Sequence, residues 1–214
     1  MHRRQFMQFT RNLGLASSFA TLGLTGTSLS AMAANNTPNA ATAHIDAMIV
    51  DMMVLLEIDT GDMAARRESV TALLKKYFDF PGIARFSAGQ YWRAATDAEK
   101  REYETIIHEV IVGTVVNNFD QLKGLQYTPV SSTAKGEKLA IVSGEFSDST
   151  GARPSVLVNW RVTTVPGEPI RVLDIEIENI SMLITQKQEN IAIIRKNKGK
   201  FSALIDAMKA KLEG

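Results

Sequence analysis

Tyr77-Phe78-Asp79-Phe80-Pro81, running on through Tyr91-Trp92-Arg93 to Thr96-Asp97-Ala98-Glu99, is the stretch that decides how this chain folds. The residue before a proline disfavours helical geometry, so a helix arriving from upstream should end near Asp79. A short helix then spans Gly82 to Ala88 and stops at Gly89. Thr96 and Glu99 have capping-box spacing, in which the Thr hydroxyl accepts from the amide three residues on and the Glu side chain reaches back to the cap amide. Beyond them Tyr103, Ile106, Ile107, Val110, Ile111, Thr114, Val115 and Phe119 recur at steps of three and four, one face of a long helix over 96–122. Val112 and Val116 widen that face, whereas Lys100, Arg101, Glu104, Glu109 and Asn117 lie opposite. So broad an apolar side predicts a helix that is sandwiched or that lines something apolar.

Upstream, a polar leader with Pro38 precedes Ile45, Met48, Ile49, Met52, Leu55 and Leu56, whose spacing predicts a helix from Thr42 to Glu57. Met48, Met52 and Met53 fit either an ordinary core or the wall of a pocket for a variable ligand, because methionine is flexible and polarisable. A turn at Asp59-Thr60-Gly61-Asp62 leads into a helix over Met63–Tyr77. After the long helix the period changes to two. Strands are expected at Leu125–Ser131, where Pro129 suggests an edge, at Leu139–Phe146, at Val156–Val162 and at Val172–Ile177, the last with Leu173, Ile175 and Ile177 on one face. Turns at Lys135-Gly136, Asp148 to Gly151 and Pro166-Gly167 are short, which predicts an antiparallel meander. Ser181 is a suitable N-cap for a helix carrying Leu183, Ile184, Ile191 and Ile194. Gly199 separates that helix from a last one with Phe201, Leu204, Ile205, Met208 and Leu212. The expectation is an α+β domain, a four-stranded antiparallel sheet packed against N- and C-terminal helices.

The 214 residues include no cysteine, which removes disulfides and thiolate chemistry. Residues 1–33 read as an export signal, with Arg3-Arg4 at the start, a diluted apolar stretch from Leu13 to Leu29 and a small-x-small site at Ala31-Met32-Ala33. The Arg pair leaves twin-arginine and general secretory export both open. The apolar stretch, about 17 residues, is short of the roughly 20 that span a bilayer. Three of the 24 basic residues and none of the 23 acidic ones lie in this leader, so residues 34–214 carry a net charge of −2. That balance argues against a nucleic-acid partner, which needs a basic footprint.

Equipment for catalysis or metal binding is sparse. His44 and His108 are the histidines beyond the leader, too few for a zinc site of ordinary ligand type. No nucleophile elbow or phosphate-binding Gly-rich loop occurs. His108 falls on the polar shoulder of the long helix and reads as a surface residue. Asp174, between Leu173 and Ile175, is either a structural acceptor or the buried base of an enzyme on a cone-shaped helix-and-sheet scaffold. What the sequence has in excess is apolar surface on helices and strands alike, for which ordinary core is the favoured account and a cavity between sheet and helices the alternative; composition alone does not decide between them.

The motifs Tyr77-Phe78-Asp79-Phe80, Ala88-Gly89-Gln90-Tyr91-Trp92-Arg93-Ala94-Ala95-Thr96 and Val172-Leu173-Asp174-Ile175-Glu176-Ile177-Glu178-Asn179-Ile180-Ser181, in order and at matching spacing, resemble those of the MlaC or toluene-tolerance family. Ala88 stands for the family's Leu, Glu99 for its Gln, Asn179 for its Gly, and Gln186-Lys187 for its Tyr-Arg, departures that point to a divergent branch such as the hopanoid-associated relatives. The resemblance implies a monomeric, non-enzymatic periplasmic phospholipid carrier with no cofactor. Its partners would be an outer-membrane lipoprotein–porin complex and an inner-membrane ABC transporter with an MCE-domain subunit. The acyl tails would lie in an apolar pocket between sheet and helices. Each methylene is worth about 0.8 kcal/mol when buried, so two tails would cost on the order of 20 kcal/mol to expose, and a carrier must enclose them. The apolar faces above then supply the candidate tail contacts: Met52, Ile83, Phe86, Trp92, Ile107, Val110, Ile111, Val115, Val158, Trp160, Ile175, Ile177, Leu183 and Ile184. Arg93 and Arg161 are the candidates for a phosphate at the rim. An enzyme using Asp174 and a periplasmic chaperone with an apolar groove remain the alternatives.

Overall fold

A computed structural model describes residues 29–213. The export signal read over residues 1–33 lies outside the described residues up to residue 28. The helices are α1 (Leu29–Ile58), α2 (Met63–Tyr77), α3 (Phe80–Ala88), α4 (Asp97–Asn117), α5 (Met182–Lys196) and α6 (Ser202–Glu213), with 3₁₀ turns at Gly89–Arg93 and Phe119–Leu122. The strands are β1 (Leu125–Ala134), β2 (Leu139–Asp148), β3 (Val156–Thr163), β4 (Arg171–Ile177) and β5 (Ile180–Ser181).

Local chemistry explains most of these boundaries. Asp62 accepts from the amides of Ala64 and Ala65 at 2.9 Å and so caps α2. Asp79 accepts from the Gly82 amide at 2.9 Å, with Pro81 in the first turn of α3, where its missing N–H costs nothing. The Thr96–Glu99 capping box at α4 is complete in both directions. Helix α1 starts well before the expected Thr42 and contains Pro38. The Pro38 carbonyl is held by the hydroxyls of Thr42 and of Ser132 on β1, both at 3.0 Å.

The strands form one antiparallel meander in the order β1-β2-β3-β4-β5. The fifth strand is an addition to the four expected. Glu178 and Asn179 turn the chain there with φ of 48° and 65°, so that Ile177 pairs with Ile180. Asn tolerates this left-handed conformation better than most residues with a Cβ. A register shift against β3 pairs Val172 with Val162 and Ile175 with Trp160. Val172 therefore shares the inner face with Ile175 and Ile177, and Leu173, expected there by strict alternation, joins the helical side of the molecule. The inner face is apolar and buried through Ala140, Val142, Val158, Trp160, Val162 and Val172. The outer face is polar, with Asn159 bridging Ser143 at 2.6 Å and Glu176 at 3.0 Å. At Gly144 the Tyr127 ring lies where a Cβ would stand, 2.2 Å from its hydroxyl, so β2 needs a glycine at this point.

The core has three parts. Helices α1 and α2 cover the inner face of the sheet. A second cluster joins α2 and α4 through Val70, Leu74, Val112, Val116 and Phe119. The third is made by α3, α4, α5 and α6 around Tyr103, Ile107, Ile194 and Leu204. Within it the Tyr103 hydroxyl, fully buried, lies 2.7 Å from both Ser87 Oγ and Asn190 Nδ2. Asn190 also donates to the Ser87 carbonyl at 3.1 Å and accepts from Gln186 at 2.8 Å, so one polar knot ties α3, α4 and α5. His108 is buried against Phe80, with ring centroids 4.5 Å apart, and not on the surface as its position on the helical wheel suggested.

Burial pushes the Tyr103 phenol up to about 12. The folded state therefore keeps a proton that the unfolded chain loses near pH 10, and stability should fall as pH rises from about 10 to 12. Tyr103→Phe should flatten that alkaline loss, which pH-dependent chemical denaturation would register as a difference of order 2–3 kcal/mol between the two proteins' pH profiles.

Candidate functional site

Between the inner face of the sheet and the helices lies a cavity of about 730 Å³ that no side chain fills. Its wall from α1 is Met48, Ile49, Met52, Met53 and Leu56. Leu73, Leu74 and Phe78 close it from α2 and the segment after it. Val115 enters from α4, and Phe146, Val156, Val158, Trp160, Ile175 and Ile177 form the sheet floor. The polar members, Thr114, Asn118, Gln121 and Arg153, sit together at one end, where the first three are exposed. The cavity is thus apolar with a polar rim, the form of a site for an apolar ligand with one polar end.

The surround is pinned by charge. Arg66, nearly buried, binds Asp59 at 2.7 Å and Asp120 at 3.1 Å, with its guanidinium 4.9 Å from the centre of the Phe119 ring. Lys123 reaches the same two carboxylates at 3.1 and 2.7 Å. The Arg66 hydrogen bonds, followed by Lys123, hold the Asp59 carboxyl well below the usual carboxylate range. This cluster laces the end of α1, the start of α2 and the 3₁₀ turn after α4. In the later half of α1, Asp51 accepts from Lys76 at 2.8 Å and from the Tyr77 hydroxyl at 2.7 Å. At the rim Arg153 is held by Asp148 at 2.6 Å, by the Lys123 carbonyl at 2.8 Å and by the Gln121 carbonyl. Arg153 in turn draws the Asp148 carboxyl down to about 2.

The model of the MlaC protein family matches residues 44–210, most of the chain and every element that lines the cavity. The chain belongs to the MlaC family. Among solved structures, a phospholipid-binding protein from Ralstonia solanacearum, determined in complex with a phospholipid, is similar in fold, with a TM-score of 0.70. It is 18% identical, and the match covers 81% of this chain and 99% of that one. No curated protein sequence matches this chain.

This MlaC-family cavity collects part of the residue set drawn from the apolar faces. Met52, Val115, Val158, Trp160, Ile175 and Ile177 line it. Ile83, Ile107 and Leu183 are buried in the helical core, and Val110 and Ile111 pack against it. Ile184 is exposed on α5. Phe86, Trp92 and Arg93 line a separate groove on the far side of α3. Arg161 sits on the outer sheet face, bound to Glu176 at 3.0 Å. Arg153, the cation on the rim, has no signal in the sequence beyond its place after the turn at Gly151. The α1 wall had one, its three methionines. Among the described residues, no group of three or more His, Cys, Asp and Glu could hold a metal ion.

Asp174 lies on the sheet face away from the cavity. One of its oxygens accepts from the Ser181 hydroxyl at 2.6 Å and the other from the Leu183 amide at 2.9 Å. Ser181 in turn caps α5 by accepting from the Ile184 amide at 3.0 Å. The carboxylate is therefore the structural acceptor that docks the start of α5 on β4. Asp174→Ala should leave the buried Leu183 amide unsatisfied and lower stability by about 1–3 kcal/mol in urea denaturation, with the content of the cavity unchanged by lipid mass spectrometry.

Proposed function

We propose that this protein is a periplasmic phospholipid carrier. It buries acyl tails in the cavity and keeps the head group at the polar rim among Thr114, Asn118, Gln121 and Arg153. The observation that carries this reading is the cavity itself: about 730 Å³ of apolar space left open beneath a sheet. Close packing is the rule in protein interiors, so an unfilled apolar space of this size calls for an occupant. Membership of the MlaC family supports the assignment, as does the phospholipid bound to the Ralstonia protein of the same fold. The export signal over residues 1–33 supplies the compartment. In that compartment the carrier works as a monomer between an outer-membrane lipoprotein–porin complex and an inner-membrane ABC transporter with an MCE-domain subunit, which maintains outer-membrane lipid asymmetry.

Tail burial supplies the affinity. At about 0.8 kcal/mol per buried methylene, even one long chain outweighs any hydrogen bond a head group makes at an exposed rim. Selectivity for head groups should accordingly be low. No bond is made or broken, and the carrier needs no catalytic group.

Denaturing extraction of the purified protein, followed by lipid mass spectrometry, should give close to one phospholipid per chain. A chain that comes out of cells empty would refute the reading. Val115→Trp and Ile175→Trp each place an indole in the tail space, where room exists for it. Both should fold normally by circular dichroism and lose at least nine-tenths of the bound lipid.

A further inference from the structure

On the far side of α3 from the cavity, the structure has a second depression of about 510 Å³. Its walls come from α3, the 3₁₀ turn after it, α5 and the β3–β4 connection. Three cations stand around it, Arg85, Arg93 and Lys187, and two aromatic rings, Phe86 and Trp92. Among the described residues Arg85 and Arg93 have neither an ion pair nor a hydrogen-bonded partner. The Lys187 ammonium lies 4.5 Å from the centre of the Phe86 ring, and Lys100 stands 5.9 Å from the centre of Trp92. Phe86 is 40% exposed, in a helix where Ile83, Ala84 and Ala88 are buried.

The groove is built for these side chains. Gly89 ends α3 with φ of 59°, and a Cβ there would stand 3.1 Å from Lys187 Cε and from Ile191 Cδ1. The glycine thus opens the seat in which the lysine stem lies. Asp79 Oδ1 caps α3 and keeps its charge, and Glu168 is the other acid at the groove, so three cations face two carboxylates, a local balance of +1. Three cations cluster here on a chain whose residues 34–214 carry a net charge of −2. Unpaired arginines beside exposed aromatic rings are the usual anchors of a protein interface.

We propose that this groove is a docking site for an acidic segment of a partner protein, one that sets carboxylates against Arg85, Arg93 and Lys187 and an apolar side chain against Phe86 and Trp92. A recessed site with rings in its wall fits a protruding peptide better than a flat membrane, which would meet cations on a convex surface. The groove lies across the molecule from the cavity rim. A partner seated there holds the protein without covering the cavity opening, so docking and cargo exchange use separate surfaces.

The test uses Trp160→Phe protein, which leaves Trp92 as the fluorescent reporter in the groove. The probe is a blocked pentapeptide of four acidic residues around a phenylalanine. It should shift Trp92 emission saturably, at least tenfold more tightly than its amide counterpart of Asn and Gln, and the binding should weaken with added salt. Arg85→Glu combined with Lys187→Glu should weaken the peptide at least tenfold and, made in protein that keeps Trp160, leave the co-purified lipid unchanged. That second readout separates failure of this site from failure of the carrier reading. Equal binding to the charge-reversed protein, or no binding at millimolar peptide, would overturn the proposal. So would inorganic phosphate occupying the groove with no peptide bound. Cation-dependent binding to phosphatidylglycerol vesicles in place of the peptide would assign the face to a membrane instead and equally overturn it.

Discussion

A hole lined with hydrocarbon is an unfavourable thing to keep inside a protein, because each wall atom lacks the neighbours that close packing would give it. Everything else in this fold follows from holding that hole open. Opposing walls must be fixed at points that collapse cannot move. Short charged contacts do that better than more hydrocarbon would, since apolar packing would simply spread into the gap. Arg66 with Asp59, Asp120 and Lys123 clamps one end of the α1–α2 pair to the end of α4. Asp51 with Tyr77 and Lys76 fixes the later half of α1, and the Pro38 carbonyl with Ser132 ties its first half to β1. The pins stand around the cavity and not in it, which leaves its wall apolar.

The sheet contributes in a different way. Its inner face is curved by the register shift in β4, which turns Leu173 away and brings Val172 in. The helical layer of α3 to α6 has its own core and its own polar knot at Tyr103. Two residues in sequence belong to the two sides. Phe78 enters the cavity, whereas Asp79 faces the groove, and the Asp79 amide donates to the Val172 carbonyl at 2.9 Å. The aromatic stretch around Tyr77 is thus the seam of the molecule.

Much of this architecture was legible before the structure. The starts of α4 and α5 were, because Thr96 with Glu99, and Ser181, carry the cap in the side chain itself, whereas α1 begins at Leu29, well before the expected Thr42. The α+β order and the meander were, because the change of period and the short turns are local features. The β4 register shift was not, since nothing in Val172-Leu173-Asp174 distinguishes a strand that alternates from one that slips. Nor was the two-residue strand β5, whose pairing depends on Glu178 and Asn179 adopting positive φ. The site was legible only in part for a physical reason. An apolar side chain at helical spacing is the same whether it meets another side chain, as Ile107 does, or open space, as Met52 does. Which of the two occurs is settled by the distance between elements, a tertiary quantity with no residue-level signature. The rim cation is the same problem with charge. Arg93, Arg153 and Arg161 look alike in sequence, and only the fold puts Arg153 beside the opening.

Under the proposed carrier reading a bound lipid must also be released, and the walls differ in what it takes to move them. Of the floor strands, β2 and β3 are paired along their length on both sides, and β4 is paired with β3 and, over two residues, with β5, so displacing any of them breaks several backbone hydrogen bonds at once. Helix α4 is packed on two sides, against α2 in one cluster and against α3 and α6 in another. Helix α1 is different. Its inner face meets the cavity and the sheet, whereas Val50, Val54 and Ile58 on its outer face are 61%, 48% and 65% exposed. Apart from apolar contact it is held by a handful of polar pins, most of them at the surface, where ion pairs are worth little. Its cavity wall is largely methionine, the side chain that repacks at least cost when a neighbour leaves. The wall richest in methionine is thus the one best able to close over whatever space remains.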